Sequence, residues 1–318
     1  MNKLLQYCSI LLLCSIYVSC NNTSSESIED LQTKFETSAL NEPNRITETN
    51  KDGNITGDVD NDDWRVGPLF EGIVDIKPPF PNPVLSTDEI AVELNVLVGD
   101  KLNGLLVFTG YKSVDSLELV KFVSRKSIPD GLISFAIDPY KITGSRKNVE
   151  GIYRIIVKDL DGEFVTYGDI EIKDAQVLFE REAYSLPSNY TATNRNGSVV
   201  GGQEDPDDWR VSPYYEGLVY ILPPFPNPVL ANQRLSFELI VTGIDEVDGI
   251  RVHALYNGED LSPALYQSAH GPIPIGLLSI SLNPSELSQL GGDTDRLHRM
   301  LVLDSQDNVI TYGDIKIN

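Results

Sequence analysis

Pro78-Pro79-Phe80-Pro81-Asn82-Pro83-Val84-Leu85 recurs unchanged as Pro223-Pro224-Phe225-Pro226-Asn227-Pro228-Val229-Leu230. The same offset (223 − 78 = 145) carries Asp62-Asp63-Trp64-Arg65-Val66 onto Asp207-Asp208-Trp209-Arg210-Val211. It also carries Thr166-Tyr167-Gly168-Asp169-Ile170 onto Thr311-Tyr312-Gly313-Asp314-Ile315. Landmarks at both ends of the segment share one register, so the chain holds two copies of one domain, 62–173 and 207–318. Within the quoted stretch each proline fixes φ and removes a ladder donor. Asn82 is a residue that bonds its own backbone two positions on, which makes the stretch a turn feeding a strand at a sheet edge.

Working outward, the first copy reads as short strands. Ile90, Val92, Leu94 and Val96 alternate with Ala91, Glu93 and Asn95, the period-2 pattern of a half-buried strand. Further strand-like runs are 69–76, 105–109, 117–123, 133–137, 152–158 and 164–172. Asp159-Leu160-Asp161-Gly162 joins the last two as a tight hairpin in which Gly162 supplies positive φ. One helical turn is expected at Asp138-Pro139-Tyr140-Lys141. The second copy repeats the plan at 218–222, 235–241, 250–256, 277–282, 297–303 and 309–317. Short strands at this spacing predict an all-β chain of two tandem immunoglobulin-like β-sandwiches.

The 318 residues carry a formal charge of −22, from 47 acidic and 25 basic side chains. Such a surface is repelled by phosphate backbones, so nucleic acid is not an expected partner. Lys3, the apolar run Leu4–Val18 and the small Ser19 have the layout of a secretory signal over residues 1–19. All three cysteines, Cys8, Cys14 and Cys20, are early, and cleavage before Cys20 leaves it alone in the mature chain. Residues 20–61, polar and acidic, are expected to be an anchor and flexible tether, with Ser27-Ile28-Glu29-Asp30 capping a short helix through Leu31 and Phe35. Residues 174–206 are expected to link the copies, with 176–179 packing on the edge of the first.

Tyr17-Val18-Ser19-Cys20 resembles the lipobox of bacterial lipoproteins. That resemblance implies lipidation of Cys20 and an outer-membrane location, with the membrane as partner through the lipid, on the periplasmic or the cell-surface face. The acidic residues soon after Cys20 resemble the export signal of surface lipoproteins in Bacteroidota. Phe80 to Pro83, the strand after it, and Gly151-Ile152-Tyr153-Arg154 through Asp159 resemble the C-terminal sorting domain of type IX secretion cargo; 225–228 and 297–304 are the second-copy counterparts. This implies an immunoglobulin-like fold and, as one alternative, a role in type IX sorting or surface display.

Asp-Asp-Trp-Arg opens each copy and has two readings. The expected one is a buried Trp plugging the end of a sandwich. The alternative is a ligand platform of Trp64, Arg65, Trp209 and Arg210 that stacks on sugar rings, as in surface glycan-binding lipoproteins. Asp52, Asn54, Thr56, Asp58, Asp60 and Asp63 resemble an EF-hand-type calcium loop, which makes calcium the one candidate cofactor. No G-x-S-x-G, H-E-x-x-H or glycine-rich phosphate loop occurs, and His253, His270 and His298 are not matched between copies. The expected function is therefore that of a non-enzymatic binding or assembly module, whose partner is a protein or a glycan.

Overall fold

A computed structural model describes residues 26–318 apart from 112, 203, 244–245, 257–259, 270 and 289–295. Cys20 and the signal-like run lie outside the described residues. Contacts divide the chain into two compact units. The first takes in the chain up to Val84, then Asp88–Thr143 and Gly151–Ile172; the second has Leu85–Thr87, Gly144–Glu150 and Lys173–Asn318. No helix among the described residues is long and apolar enough to cross a membrane.

The chain is all-β, built of antiparallel sheets. In the first unit β1 (Arg65–Val66), β3 (Val84–Leu85), β5 (Asn103–Tyr111), β6 (Ser113–Ser127), β8 (Gly151–Lys158) and β9 (Phe164–Lys173) form one sheet. Its order is β1-β9-β8-β5-β6, with β3 also on β9. β2 (Val74–Ile76), β4 (Ile90–Val96) and β7 (Gly131–Ile137) form a three-stranded sheet in the order β2-β4-β7. The alternation read in β4 is real: Ile90, Val92, Leu94 and Val96 are buried while Asn95 is exposed. Gly162 has φ 94, as the Asp159–Gly162 turn requires, and Pro139–Thr143 is the expected short helix, α2.

The second unit repeats this plan. β10 (Val219–Phe225), β11 (Leu235–Val241) and β15 (Gly276–Leu282) make its three-stranded sheet, in the order β10-β11-β15. The larger sheet holds β12 (Arg251–Tyr256), β13 (Asp260–Leu261), β14 (Tyr266–Gln267), β16 (Leu297–Leu303) and β17 (Val309–Lys316), with the short helix α4 (Pro284–Ser288) between β15 and β16. Phe237, Leu239 and Val241 from one sheet share a single apolar cluster with Val252, Met300, Val302 and Ile315 from the other. That shared cluster is the interior of a β-sandwich.

The structure departs from the sequence reading at the segments expected to be loose. Residues 28–39 form helix α1, closed by the anticipated capping box: Ser27 Oγ accepts from Asp30 N at 3.1 Å and Asp30 Oδ2 from Ser27 N at 3.3 Å. Gln32, Phe35 and Ala39 lie on one helical face, and all three are buried. Phe35 and Ala39 pack with Ile156, Phe164 and Tyr167, on the outer face of the larger sheet. Residues 28–61 are therefore not a free tether. Likewise 175–183 form helix α3, whose Phe179 and Ala183 pack with Leu301, Val309 and Tyr312 of the second unit. The edge of the first copy, where 176–179 were expected, is not their site, because their apolar face matches the sheet that follows them.

These helices belong to the repeat. Gln32, Phe35 and Ala39 correspond to Gln176, Phe179 and Ala183 at an offset one shorter (176 − 32 = 144). Thr49 and Thr193 share that shorter offset, so the second copy gains one residue between there and its Asp-Asp-Trp-Arg.

Candidate functional site

All the repeated motifs meet at one place in each unit. Asn82, flanked by cis Phe80-Pro81 and Asn82-Pro83 peptides, is fully buried. Its side chain does not bond the adjacent backbone. Nδ2 donates to Thr47 O and to Asp169 O, each at 3.1 Å, and Oδ1 accepts from Glu171 N at 2.9 Å. Three bonds from one amide thus tie an N-terminal segment to the last strand, and Asn227 repeats them with Thr191 O, Asp314 O and Lys316 N.

Asp63 does similar work. Oδ1 accepts from Asp169 N at 2.6 Å and Oδ2 from Thr47 N at 3.2 Å. Asp208 matches it with Asp314 N at 2.6 Å and Thr191 N at 2.9 Å. Burial pushes the Asp63 carboxyl up to about 8, against backbone donors that favour its ionised form. Asp208 is pushed to about 7 in the same way. A carboxyl so raised beside a cleft often marks an acid or base. Here each oxygen of both carboxyls accepts one backbone N–H, so the groups tie the frame together where they line their clefts.

Trp64 and Trp209 are each only 4% exposed and sit at φ 55 and 58. Each indole lies over a glycine of the Tyr-Gly-Asp motif: a Cβ at Gly168 would overlap Trp64, and one at Gly313 would overlap Trp209. This corrects the sugar-platform alternative, since neither indole presents a face to a ligand. Arg65 and Arg210 stay partly exposed at the rim, where each reaches a tyrosine hydroxyl, Tyr167 or Tyr312, at 3.3 Å.

The deepest charges are paired. Arg154 forms a bidentate bridge with Asp169, through Nε to Oδ1 and NH2 to Oδ2, and both groups are buried. Its NH1 donates to Ser38 O at 3.2 Å and Ala39 O at 3.1 Å, carbonyls of the last turn of α1, which lack partners within the helix. The guanidinium stacks 4.9 Å from the Tyr167 ring, which lies 4.9 Å from Phe35. Arg299, Asp314, Tyr312 and Phe179 reproduce the set, with Arg299 reaching Glu182 O at 2.9 Å. Sequence reasoning missed this device because the repeat was not followed back into α1 and α3; the shorter offset was the signal.

Above each bridge opens a polar cleft, about 180 Å³ in the first unit and about 150 Å³ in the second. Asp60, Asp62 and Arg65 edge the first, and Asp205 and Asp207 edge the second. Arg154 and Asp169 form a floor that is paired with itself and with the end of α1.

The six candidate calcium ligands do not gather. The loop folds as a small hairpin with a Thr49–Ile55 bridge, in which Asn50 Oδ1 accepts from Asp52 N and Asn54 N, both at 3.0 Å. Glu48 N donates to Asp58 O and Thr56 N to Glu48 O, while Asp60 Oδ1 accepts from Asp62 N at 2.9 Å. Asp63 is spent on backbone donors, and no group of three or more acidic, His or Cys side chains among the described residues could hold a metal ion.

No protein-family model matches the chain, and no curated protein matches it. Among solved structures it is similar to a DUF3823 family protein from Parabacteroides merdae, at 14% identity and TM-score 0.23, over 68% of this chain and 90% of that one. Dimeric latent PorU from Porphyromonas gingivalis matches at 16% identity and TM-score 0.22, over 77% of this chain and 20% of that one. SGBP-B of a Bacteroides ovatus mixed-linkage glucan utilization locus, solved with a heptasaccharide, matches at 12% identity and TM-score 0.19, over 74% and 42%. The chain thus spans less than half the length of PorU and of SGBP-B. Scores this low assign it to none of these families.

Proposed function

We propose that the protein is a non-enzymatic, lipid-anchored protein of a Bacteroidota-type envelope, held at the outer membrane through Cys20, in which the two β-sandwich units present surfaces for binding or assembly. The observation that carries this reading is the fate of the repeated residues. Asp63, Trp64, Asn82, Arg154, Gly168 and Asp169 are all consumed in holding the frame together, as are their counterparts in the second unit. The copies differ within their cores, as at Val92 and Phe237, and also on exposed faces. On the outer face of the three-stranded sheets, Asp75 pairs with Asn95 and Asn95 with Leu132 in the first unit. The same positions in the second unit are Tyr220, Ile240 and Leu277. A common frame with diverging faces is the economy of a binding module rather than of a shared reaction centre.

Anchoring is tested by Cys20→Ala. Palmitate labelling is expected to disappear and the protein to leave the membrane fraction; a variant that still sediments with the outer membrane refutes the anchor. The sorting alternative draws on the turn and hairpin motifs of the second copy. If sorting is its task, deleting residues 223–318 traps the protein inside the cell, whereas unchanged delivery of the shortened chain removes that alternative.

A further inference from the structure

We propose that β15 is a self-pairing edge, through which the second unit joins a second copy of this chain by antiparallel strand addition across a two-fold axis. The inference rests on the second unit alone and is independent of the anchoring reading. β15 ends its sheet, and it pairs with β11 through seven consecutive residues without a bulge. The described residues give its outer side no backbone partner. A regular, unbulged edge is a template for another strand, and proteins normally blunt one with charge, proline or a bulge.

β15 has none of these. Gly276-Leu277-Leu278-Ser279-Ile280-Ser281-Leu282 contains no charged residue and no proline, in a chain that is 23% charged. The corresponding edge of the first unit, β7, is screened: Lys121 Nζ on β6 donates to Ala136 O at 2.7 Å. The second copy has Tyr266 at the position 145 residues on, and Tyr266 packs against the core instead. The screening cation has been lost where the face beside the edge has become apolar. Tyr220, Ile240 and Leu277 form one cross-strand row and are 58%, 39% and 60% exposed.

The occupant follows from charge and register. Two copies of a chain at −22 repel each other over most of their surface. A strand related to itself by a two-fold sets each residue near its own kind, so any charge on it would meet a like charge. β15 satisfies that condition by carrying none. With the axis through Ser279, Leu278 faces the partner's Ile280 and Leu277 faces the partner's Ser281. Paired residues then have the same parity, so Leu278, Ile280 and Leu282 stay on the core side in both copies. Leu277 and its copy in the partner then share the outer face of the joined sheets, four positions apart along the strands with Ser279 between them. Closed two-fold pairing of this kind uses one patch twice and stops at a dimer. An edge contact buries less than the ~1,200 Å² of a standard interface, so association in the micromolar range or weaker is expected.

The test uses the full chain with Cys8, Cys14 and Cys20 changed to Ser. Paired residues across an antiparallel ladder have Cα atoms about 4.5–5.5 Å apart, within disulfide reach. Ser279→Cys should therefore form an intermolecular disulfide on mild oxidation. Ser281→Cys should not, because Leu277 stands opposite it. In sedimentation over about 1–500 µM, Ser279→Lys should weaken dimerisation at least tenfold. Its exposed side chain should leave the melting of the second unit in place. A chain that stays monomeric throughout, or that cross-links equally from 279 and 281, overturns the proposal; the first result would also be seen if the edge served a strand from another protein.

Discussion

Replacing Gly168 with Ala puts the central packing claim to a direct test. Gly168 φ lies outside the left-handed region, so alanine carries no backbone penalty there, and any cost is steric. The added Cβ overlaps Trp64 and falls on Asp63 Oδ1, the acceptor for Asp169 N. The indole is a rigid plate under a strand, so it cannot turn aside as a long aliphatic chain would. Overpacking of this kind costs about 1–3 kcal/mol, and a loosened Asp63 hydrogen bond adds about 1 kcal/mol. A loss of ~2–4 kcal/mol lowers the melting midpoint of such a unit by about 6–16 °C. Calorimetry should show the transition of the first unit falling while that of the second holds, and Gly313→Ala should reverse the pattern. Trp64→Ala alone should cost about 3–5 kcal/mol. In the double variant the new methyl enters the vacated space, so the total should be no larger than that of Trp64→Ala, a coupling of about 2–4 kcal/mol, the whole cost of Gly168→Ala. Additive losses, or an unchanged Gly168→Ala transition, would refute the account of the Tyr-Gly-Asp motif.

Arg154→Met leaves Asp169 buried without its partner and should cost the first unit about 3–5 kcal/mol, whereas Arg154→Met with Asp169→Leu should recover most of it; no recovery in the double variant would contradict the pairing. Asn227→Ala strands the backbone groups of Thr191, Asp314 and Lys316 and should lower only the second transition, by about 2–4 kcal/mol. The pH dependence follows from Asp63. Its ordinary value is 3.8 and its folded value about 8, so between these the folded state keeps a proton that the unfolded state has released. The contribution therefore weakens as pH rises from about 4 to about 8, and the first unit should melt higher at pH 5 than at pH 8. Asp63→Asn should flatten that slope, and a first unit more stable at pH 8 would contradict it.

The fold was legible because strands announce themselves by alternation and by turn chemistry. Ile90 to Val96 and the Asp159–Gly162 hairpin needed no tertiary information. The site was less legible, for reasons that are physical. Asn82 is a turn residue by type, and nothing local says that its amide will reach Thr47, Asp169 and Glu171 in preference to its own backbone. Arg154 looks like a surface cation on a strand until the carbonyls at the end of α1 are brought beside it. Gln32, Phe35 and Ala39 form too sparse an apolar face to predict docking by composition. Only their recurrence as Gln176, Phe179 and Ala183 marks that face as a contact, and one inserted residue hides the match from a search at fixed offset. In the calcium-like loop, too, spacing alone says nothing of partners: Asp63 stands at a ligand position in the sequence and accepts two backbone N–H groups in the fold.

What the two copies share and what they do not can be understood together. A buried Arg–Asp bridge contributes little net stability compared with apolar residues of the same volume, but breaking it is costly. A frame built on Arg154–Asp169, Asn82 and Trp64 is therefore hard to alter one residue at a time. The same constraint protects its counterparts in the second unit, Arg299–Asp314, Asn227 and Trp209. The outer faces of the three-stranded sheets carry no such lock, because Asp75 or Tyr220, and Asn95 or Ile240, satisfy the same strand pairing. Duplication thus left one frame in two places with freedom to change at the surface. The second unit has used that freedom where its β15 edge lost the lysine that screens β7, so that an apolar face and an open edge now adjoin.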